Sequence, residues 1–356
     1  MTSEAGTLPT ETTAAVLERL REPLRLRALT LPPLRAGQVL VEVAWSGVCR
    51  SQLLEADGGR GEDRYLPHCL GHEGSGVVLA AGPEVTKVRP GDRVVLTWIQ
   101  GSGANVPGTV YESADGPVNS GAVITFARHA VISENRVVPI AADVPLREAA
   151  LLGCAVPTGA GAVLNTGVEV AGKTVAVFGA GGVGLSAILG AAMGGAAAIV
   201  AVDVRAETLA LARTLGATHL VDATGEEPVA AVRALTGGAG ADVVVEAAGR
   251  VETMEGAYAA TRYGGGLCVI AGNPPGEATI AIAPMDLIRG RRITGTWGGE
   301  TDPDRDVPRY VQAYREGRLP LEQMVGGEFA LDEVNAALDA LRSGTAGRML
   351  LRMGPA

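Results

Sequence analysis

Six residues in the middle of this 356-residue chain give the first sign of chemistry. Gly179-Ala180-Gly181-Gly182-Val183-Gly184 follows the β-branched run Thr174–Phe178 and opens the apolar segment Leu185–Met193. A strand, a glycine turn and a helix in that order make a cradle for a pyrophosphate. The first glycine permits the tight turn, the second lets phosphate approach the backbone, and the third lets helix and strand pack closely. Free N–H groups at the helix start then face the anion. Gly179, Gly181, Gly182, Val183 and Gly184 are therefore candidate dinucleotide-binding residues. Asp203 ends the next strand, at the spacing of an acid that binds adenine ribose hydroxyls. A carboxylate there repels a 2′-phosphate, which favours NAD over NADP. Arg205, two residues on, is placed to soften that preference, and Ala271, ending a later strand, joins the cofactor-binding candidates.

Histidine and cysteine are both scarce. The four histidines are His68, His72, His129 and His219, and the four cysteines Cys49, Cys69, Cys154 and Cys268. His72 lies in Gly71-His72-Glu73-Gly74, where small neighbours let the backbone fold closely around it. Scattered cysteines of an intracellular chain are thiols or metal ligands more often than disulfides. Two readings of Cys49 and Cys154 stand side by side: buried apolar thiols, or members of a Cys/His/Cys zinc site.

The elements that position these residues change character along the chain. Residues 14–45 hold short alternating stretches such as Val39–Val43, separated by Pro32-Pro33 and Gly37. That pattern reads as antiparallel β-structure, continued in Gly76–Leu79 and Arg93–Leu96 around the Pro90-Gly91-Asp92 turn. Gly101–Gly121 reads as a surface lobe. Beyond Gly172, strands (Thr174–Phe178, Ala198–Val202, Asp242–Glu246, Leu267–Ala271) alternate with helices (Leu185–Met193, Ala206–Gly216). Such alternation means a parallel sheet covered on both faces. After Ile293–Trp297 come helices near Val307–Glu316 and Leu331–Ser343, then a strand-like Arg348–Leu351. The expected fold is α/β: a β-rich domain, residues 1–156 and 297–356, interrupted by a doubly wound domain, residues 157–296.

Bulk properties exclude several classes. A net charge of −9 without a Lys/Arg run argues against nucleic-acid binding. No apolar run approaches the roughly 20 residues that span a bilayer. Met1–Thr13 has neither a basic n-region nor an apolar h-region, so it does not read as a signal peptide. The expectation is a soluble, cytoplasmic protein with an aliphatic core, because aromatic residues make up only 3% of the chain.

Taken together, the motifs resemble one family. Gly47-Val48-Cys49-Arg50-Ser51, Gly71-His72-Glu73-Gly74-Ser75-Gly76-Val77 and Gly153-Cys154-Ala155-Val156-Pro157-Thr158-Gly159 resemble the zinc-site segments of the zinc-dependent medium-chain alcohol dehydrogenases. Pro90-Gly91-Asp92-Arg93-Val94, the Phe178–Gly184 turn, Leu215-Gly216-Ala217-Thr218 and Arg342-Ser343-Gly344 are similar as well, in order from about Ala14 to Leu351. The resemblance implies a GroES-like catalytic domain beside a Rossmann domain, and one catalytic zinc held by Cys49, His72 and Cys154. It also implies hydride transfer between NAD and a primary or secondary alcohol or its carbonyl counterpart. Ser51 then takes the alcohol proton, and Glu73 lies behind the metal as an ion-pair partner or transient ligand. Arg50 and Arg348 bind pyrophosphate, while Thr158 and Val183 contact the nicotinamide. Trp98, Phe126 and Leu54 line the substrate pocket, with Trp297 a weaker candidate. A homodimer or homotetramer is the family's expectation.

Three departures qualify the resemblance. Trp98–Phe126 contains no cysteine, so no structural zinc is expected and other contacts must hold the lobe. Gln52 stands where many relatives carry an aspartate against the zinc histidine. Its oxygen still accepts the imidazole N–H, but without a charge it makes the ligand less basic. Leu54 stands where alcohol-oxidising relatives often carry the histidine that passes the proton on. The proton then either stops at Ser51 and the cofactor ribose or leaves through water, and the direction of hydride flow stays open. Two other readings remain beside the leading one: a zinc-free quinone or enone reductase of the same superfamily, and a non-catalytic NAD-binding module.

Overall fold

The computed structural model describes residues 7–274 and 276–354. The first six residues of Met1–Thr13, read above for a leader, lie outside the described residues. No described helix is long and apolar enough to cross a membrane.

The strand–helix alternation beyond Gly172 forms a six-stranded sheet in which every pairing is parallel. Its spatial order is His219–Asp222, Ala198–Asp203, Thr174–Phe178, Val243–Glu246, Leu267–Ile270, Arg292–Gly295. The order reverses at Thr174–Phe178, so the crevice where such sheets bind ligands opens at the carboxyl end of that strand. The strands are near-continuous runs of Val, Ile and Ala, as burial on both faces requires.

The rest of the chain is mostly antiparallel. Gln38–Gly47 is the central strand of a seven-stranded sheet and pairs with Glu73–Ala81, His129–Ser133 and Arg348–Arg352. A second, five-stranded sheet contains Glu11–Leu17, Arg25–Thr30 and His68–Cys69. The β-rich core gathers Leu17, Leu29, Leu96, Phe126, Ile132 and Leu351, whereas another cluster joins Leu350 and Tyr310 to Val175 and Ile188. The C-terminal strand thus belongs to the β-rich sheet while packing toward the parallel one. The Gly101–Gly121 lobe contains two short strands and is pinned by fully buried Tyr111, whose hydroxyl accepts from the Val131 N–H at 2.9 Å.

Element boundaries differ from the sequence reading mainly at helix starts. The helix placed at Leu185 begins at Gly182, inside the glycine turn. The one placed at Val307 begins at Pro303, capped by the Asp302 carboxylate. Apolar periodicity starts only where a helix reaches the core, one turn after the polar cap that nucleates it. Two short helices, Arg50–Ala56 and Ala155–Leu164, were not foreseen, and both adjoin the site.

Glycine is dictated at the turn. Gly179 has φ of 87°, and a Cβ there would lie 2.7 Å from Ala248 N; a Cβ on Gly184 would lie 1.8 Å from the Gly179 oxygen. Gly184→Ala is expected to cost about 1–3 kcal/mol through overpacking and to weaken dinucleotide binding. Urea unfolding with a cofactor titration checks this, and unchanged values for both would contradict the packing described.

Candidate active site

Cys49 caps the Arg50–Ala56 helix, His72 immediately precedes the Glu73–Ala81 strand, and Cys154 caps the Ala155–Leu164 helix. Each offers one ligand atom, and the three atoms lie within 4.8 Å of one another. The two sulfurs act on each other. Cys49 is held well below the ordinary thiol range, chiefly by a hydrogen bond from Cys154 against the cost of burial, and aided by Arg348 and His72. Cys154 is correspondingly pushed up by its bond to Cys49 and by burial. Two buried cysteine sulfurs and an imidazole so arranged suit a tetrahedral zinc with its fourth position open, the metal taking both sulfurs as thiolates. The indole N–H of Trp98 donates to Cys154 Sγ at 3.2 Å, which places electron-withdrawing character on one candidate ligand.

Gln52 differs in detail from expectation. Its Oε1 accepts the Cys49 backbone N–H at 2.6 Å, and its Nε2 faces His72 Nδ1 at 3.4 Å. The oxygen is already engaged by the helix cap, so the imidazole meets the amide's nitrogen instead of its acceptor.

Behind the ligands, Glu73 and Arg348 form an ion pair with side chains 0% and 5% exposed. Burial raises the Glu73 carboxyl above its ordinary range, and Arg348 restrains the rise. Burial also opposes the Arg348 charge, but Glu73, Cys49 and Cys154 outweigh it, so the guanidinium stays firmly protonated. Its Nη1 would lie 3.2 Å from a methyl on Gly182, so Arg348 reaches both the pair and the glycine turn. Glu73 Oε1 and Arg348 Nε have no hydrogen-bond partner.

A cavity of about 710 Å³ opens in front of the ligands. It brings Cys49, His72 and Cys154 together with the expected Ser51, Leu54, Thr158, Val183, Ala271, Trp98 and Trp297. The buried hydroxyl oxygens of Ser51 and Thr158 have no partner. Gly181 has open space where a Cβ would stand, so a phosphate can reach its backbone. Orphaned hydroxyls and a bare backbone cradle fit a nicotinamide dinucleotide and a substrate. Trp98 and Trp297 meet edge to face at 5.1 Å, and Trp297 is 77% exposed, a larger part in the wall than its sequence position suggested. Phe126 requires correction: it is fully buried in the β-rich core, where its ring leaves no room for a side chain at Gly71, and it is not among the cavity-lining residues.

The remaining cofactor candidates lie farther out. Asp203 accepts the Ala180 N–H at 2.7 Å and the Arg205 N–H at 3.1 Å, bracing the glycine turn itself. Arg205 donates from its guanidinium to the Ser343 carbonyl. Arg50 is exposed at the start of its helix. Glu55, His68 and Asp63, which sequence reasoning passed over, form a second cluster beside the cavity. Their separation along the chain gave no periodic signal.

A model of the alcohol dehydrogenase GroES-like domain matches residues 35–142, and one of the zinc-binding dehydrogenase matches residues 182–316. The chain belongs to the zinc-type medium-chain dehydrogenase/reductase family and is an alcohol dehydrogenase in class. Among its relatives is geraniol dehydrogenase from Castellaniella defragrans, 34% identical over 94% of this chain and 95% of that protein. An alcohol dehydrogenase zinc-binding domain protein from Burkholderia ambifaria shares 32% identity, with a TM-score of 0.89 over 97% of this chain and 99% of that one. Benzyl alcohol dehydrogenase from Acinetobacter calcoaceticus shares 31%, with a TM-score of 0.88 over 97% and 100%.

Removing the guanidinium should expose the cost of the buried carboxylate. Arg348→Met is expected to destabilise the protein by about 3–5 kcal/mol, with much of that recovered in Glu73→Leu/Arg348→Met. Denaturant midpoints of the single and double variants measure it, and a single variant of wild-type stability would contradict the pair's role.

Proposed function

We propose that the protein is a zinc- and NAD-dependent alcohol dehydrogenase that interconverts a primary or secondary alcohol and its aldehyde or ketone. The observation that carries this reading is the convergence of Cys49, His72 and Cys154 on a cavity also lined by Thr158, Val183 and Ala271. In this reading residues 157–296 hold the cofactor, and residues 1–156 with 297–356 supply the catalytic groups.

Cys49, His72 and Cys154 would hold the zinc, which when bound lowers the pKa of a coordinated hydroxyl and polarises a carbonyl in the reverse direction. The glycine turn and Arg50 bind the pyrophosphate, while Asp203 holds both the turn and the adenine ribose. Thr158 and Val183 press the nicotinamide toward the ligand cluster. Ser51 receives the substrate hydroxyl proton through its otherwise unpartnered oxygen. Leu54 keeps that part of the cleft apolar, so water competes poorly with the substrate. Trp98 and Trp297 offer an edge-to-face wall suited to a flat, unsaturated apolar body. The relatives named for geraniol and benzyl alcohol support that substrate class. A homodimer or homotetramer fits the exposed edge strand Arg292–Gly295 of the parallel sheet.

The test is NADH-coupled turnover across alcohols, aldehydes and ketones, with zinc measured on the same preparation. Cys49→Ala and His72→Ala should each lose zinc and turnover yet bind NAD as before, whereas turnover retained in either would remove the metal assignment. Asp203→Gly should weaken NAD binding about tenfold, or ~1.4 kcal/mol, and improve use of NADP. An unchanged NAD/NADP ratio would take Asp203 out of the site.

A further inference from the structure

We propose that Glu55, His68 and Asp63 form the route by which the proton of alcohol oxidation leaves the active site. The inference rests on the dehydrogenase reading above. Oxidation of an alcohol sends a hydride from carbon to the nicotinamide and releases the hydroxyl proton, one per turnover. That proton starts in a cleft where Leu54 stands at the position of the proton-passing histidine expected from the resemblance. Ser51 Oγ is buried without a partner, so a proton that reaches it needs a second acceptor.

Glu55 is the nearest candidate. It lies four residues after Ser51 on the Arg50–Ala56 helix, which places both on one face. Glu55 lines the 710 Å³ active-site cavity and also a second cavity of about 300 Å³ on its other side. Among the described residues only His72 shares that double position, and as a candidate metal ligand it is not free to carry the proton. Glu55 therefore stands at the wall between the two spaces.

The second cavity holds an acceptor built to take the proton onward. His68 Nε2 lies 2.7 Å from Asp63 Oδ2 and 3.7 Å from Glu55 Oε1, while Nδ1 lies 3.1 Å from the Cys69 carbonyl oxygen. Both ring nitrogens face oxygens that only accept. A proton arriving at His68 is thus hydrogen-bonded at once, and the charged ring sits between two carboxylates. The other charged group facing the cluster is Arg60, whose Nη1 lies 3.8 Å from Glu55 Oε2. Arg64 engages Tyr65 and leaves the cluster alone. Tyr65, Asn119, Ser120 and Gln52 add uncharged polar groups to the cavity wall, which His72 and Cys69 also line.

The transfers balance. Ser51 takes the substrate hydroxyl proton as it gives its own, through water in the cavity that both residues line, to a Glu55 oxygen. Glu55 passes it to His68 Nε2, with Asp63 steadying the ring, and His68 releases it to solvent through the smaller cavity. The hydride leaves with the cofactor as its reduced nicotinamide, and reduction of a carbonyl runs the same path inward. Glu55, His68 and Asp63 act on the substrate only through Ser51.

The test uses the zinc-loaded enzyme with Glu55→Gln, His68→Gln and Glu55→Gln/Leu54→His. Glu55→Gln and His68→Gln should each lower kcat for alcohol oxidation on the order of a hundredfold, the low end for general acid–base catalysis. The KM for NAD should hold, the pH profile should shift, and the solvent deuterium isotope effect should grow. Leu54→His placed in the Glu55→Gln background should restore most of the rate by reopening a route along the helix. A second readout is independent of turnover: the chain has four histidines, and the imidazole ¹⁵N resonances of His68, assigned with His68→Gln, should move at fixed pH in Glu55→Gln, because the Glu55 carboxylate lies 3.7 Å from Nε2. A wild-type pH profile and isotope effect in Glu55→Gln, a lost rate that Leu54→His leaves lost, or unmoved His68 resonances would each overturn the relay. Wild-type enzyme that fails to reduce NAD with every alcohol tried would instead overturn the dehydrogenase reading on which it rests.

Discussion

The buried pair of Glu73 and Arg348 ties the site to the fold. Glu73 begins the strand directly after His72, and Arg348 begins the C-terminal strand; both strands pair with Gln38–Gly47. A carboxylate and a guanidinium in the interior persist only while each faces the other, since either charge alone carries a desolvation cost of several kcal/mol. Their meeting therefore fixes the approach of two strands distant in sequence. It also sets the local field. Arg348 favours the thiolate at Cys49 and reaches Gly182, so one cation bears on the ligand cluster and on the phosphate cradle alike.

A second constraint is the contact between the Ala155–Leu164 and Gly182–Met193 helices. A Cβ on Gly159 would lie 2.0 Å from the Val183 oxygen, and one on Gly190 would lie 2.7 Å from Ala160 Cα. Backbones that close transmit position rigidly. The first helix starts at Cys154 and carries Thr158, while the second starts in the glycine turn and carries Val183. The spacing between Cys154 and the glycine turn is thus set by small residues in two helices, away from the flexible side chains of the cleft.

How much of this was legible in the sequence depended on whether a signal was local. Thr174–Phe178 and the glycine turn were readable because strand period, glycine spacing and the acid at Asp203 all fall within thirty residues. Cys49, His72 and Cys154 were each ambiguous alone, and only their family spacing joined them. The Arg50–Ala56 and Ala155–Leu164 helices escaped notice because the first is too short for periodicity and the second is buried on every side, so neither shows a polar face. Phe126 was assigned to the pocket from its position in the chain, and the packing of Gly71 against it decided otherwise. The Glu55–Asp63–His68 cluster had no motif. It exists only because the loop after the Arg50–Ala56 helix returns to the strand His68–Cys69.

The central claim is that two sulfurs and one imidazole hold a single metal beside the dinucleotide cleft. X-ray absorption at the zinc edge of the purified enzyme addresses it directly. The account predicts about one zinc per chain with two sulfurs near 2.3 Å, one nitrogen near 2.0–2.1 Å and one further light atom. A first shell without sulfur, or one filled by four protein ligands with no open position, would contradict it.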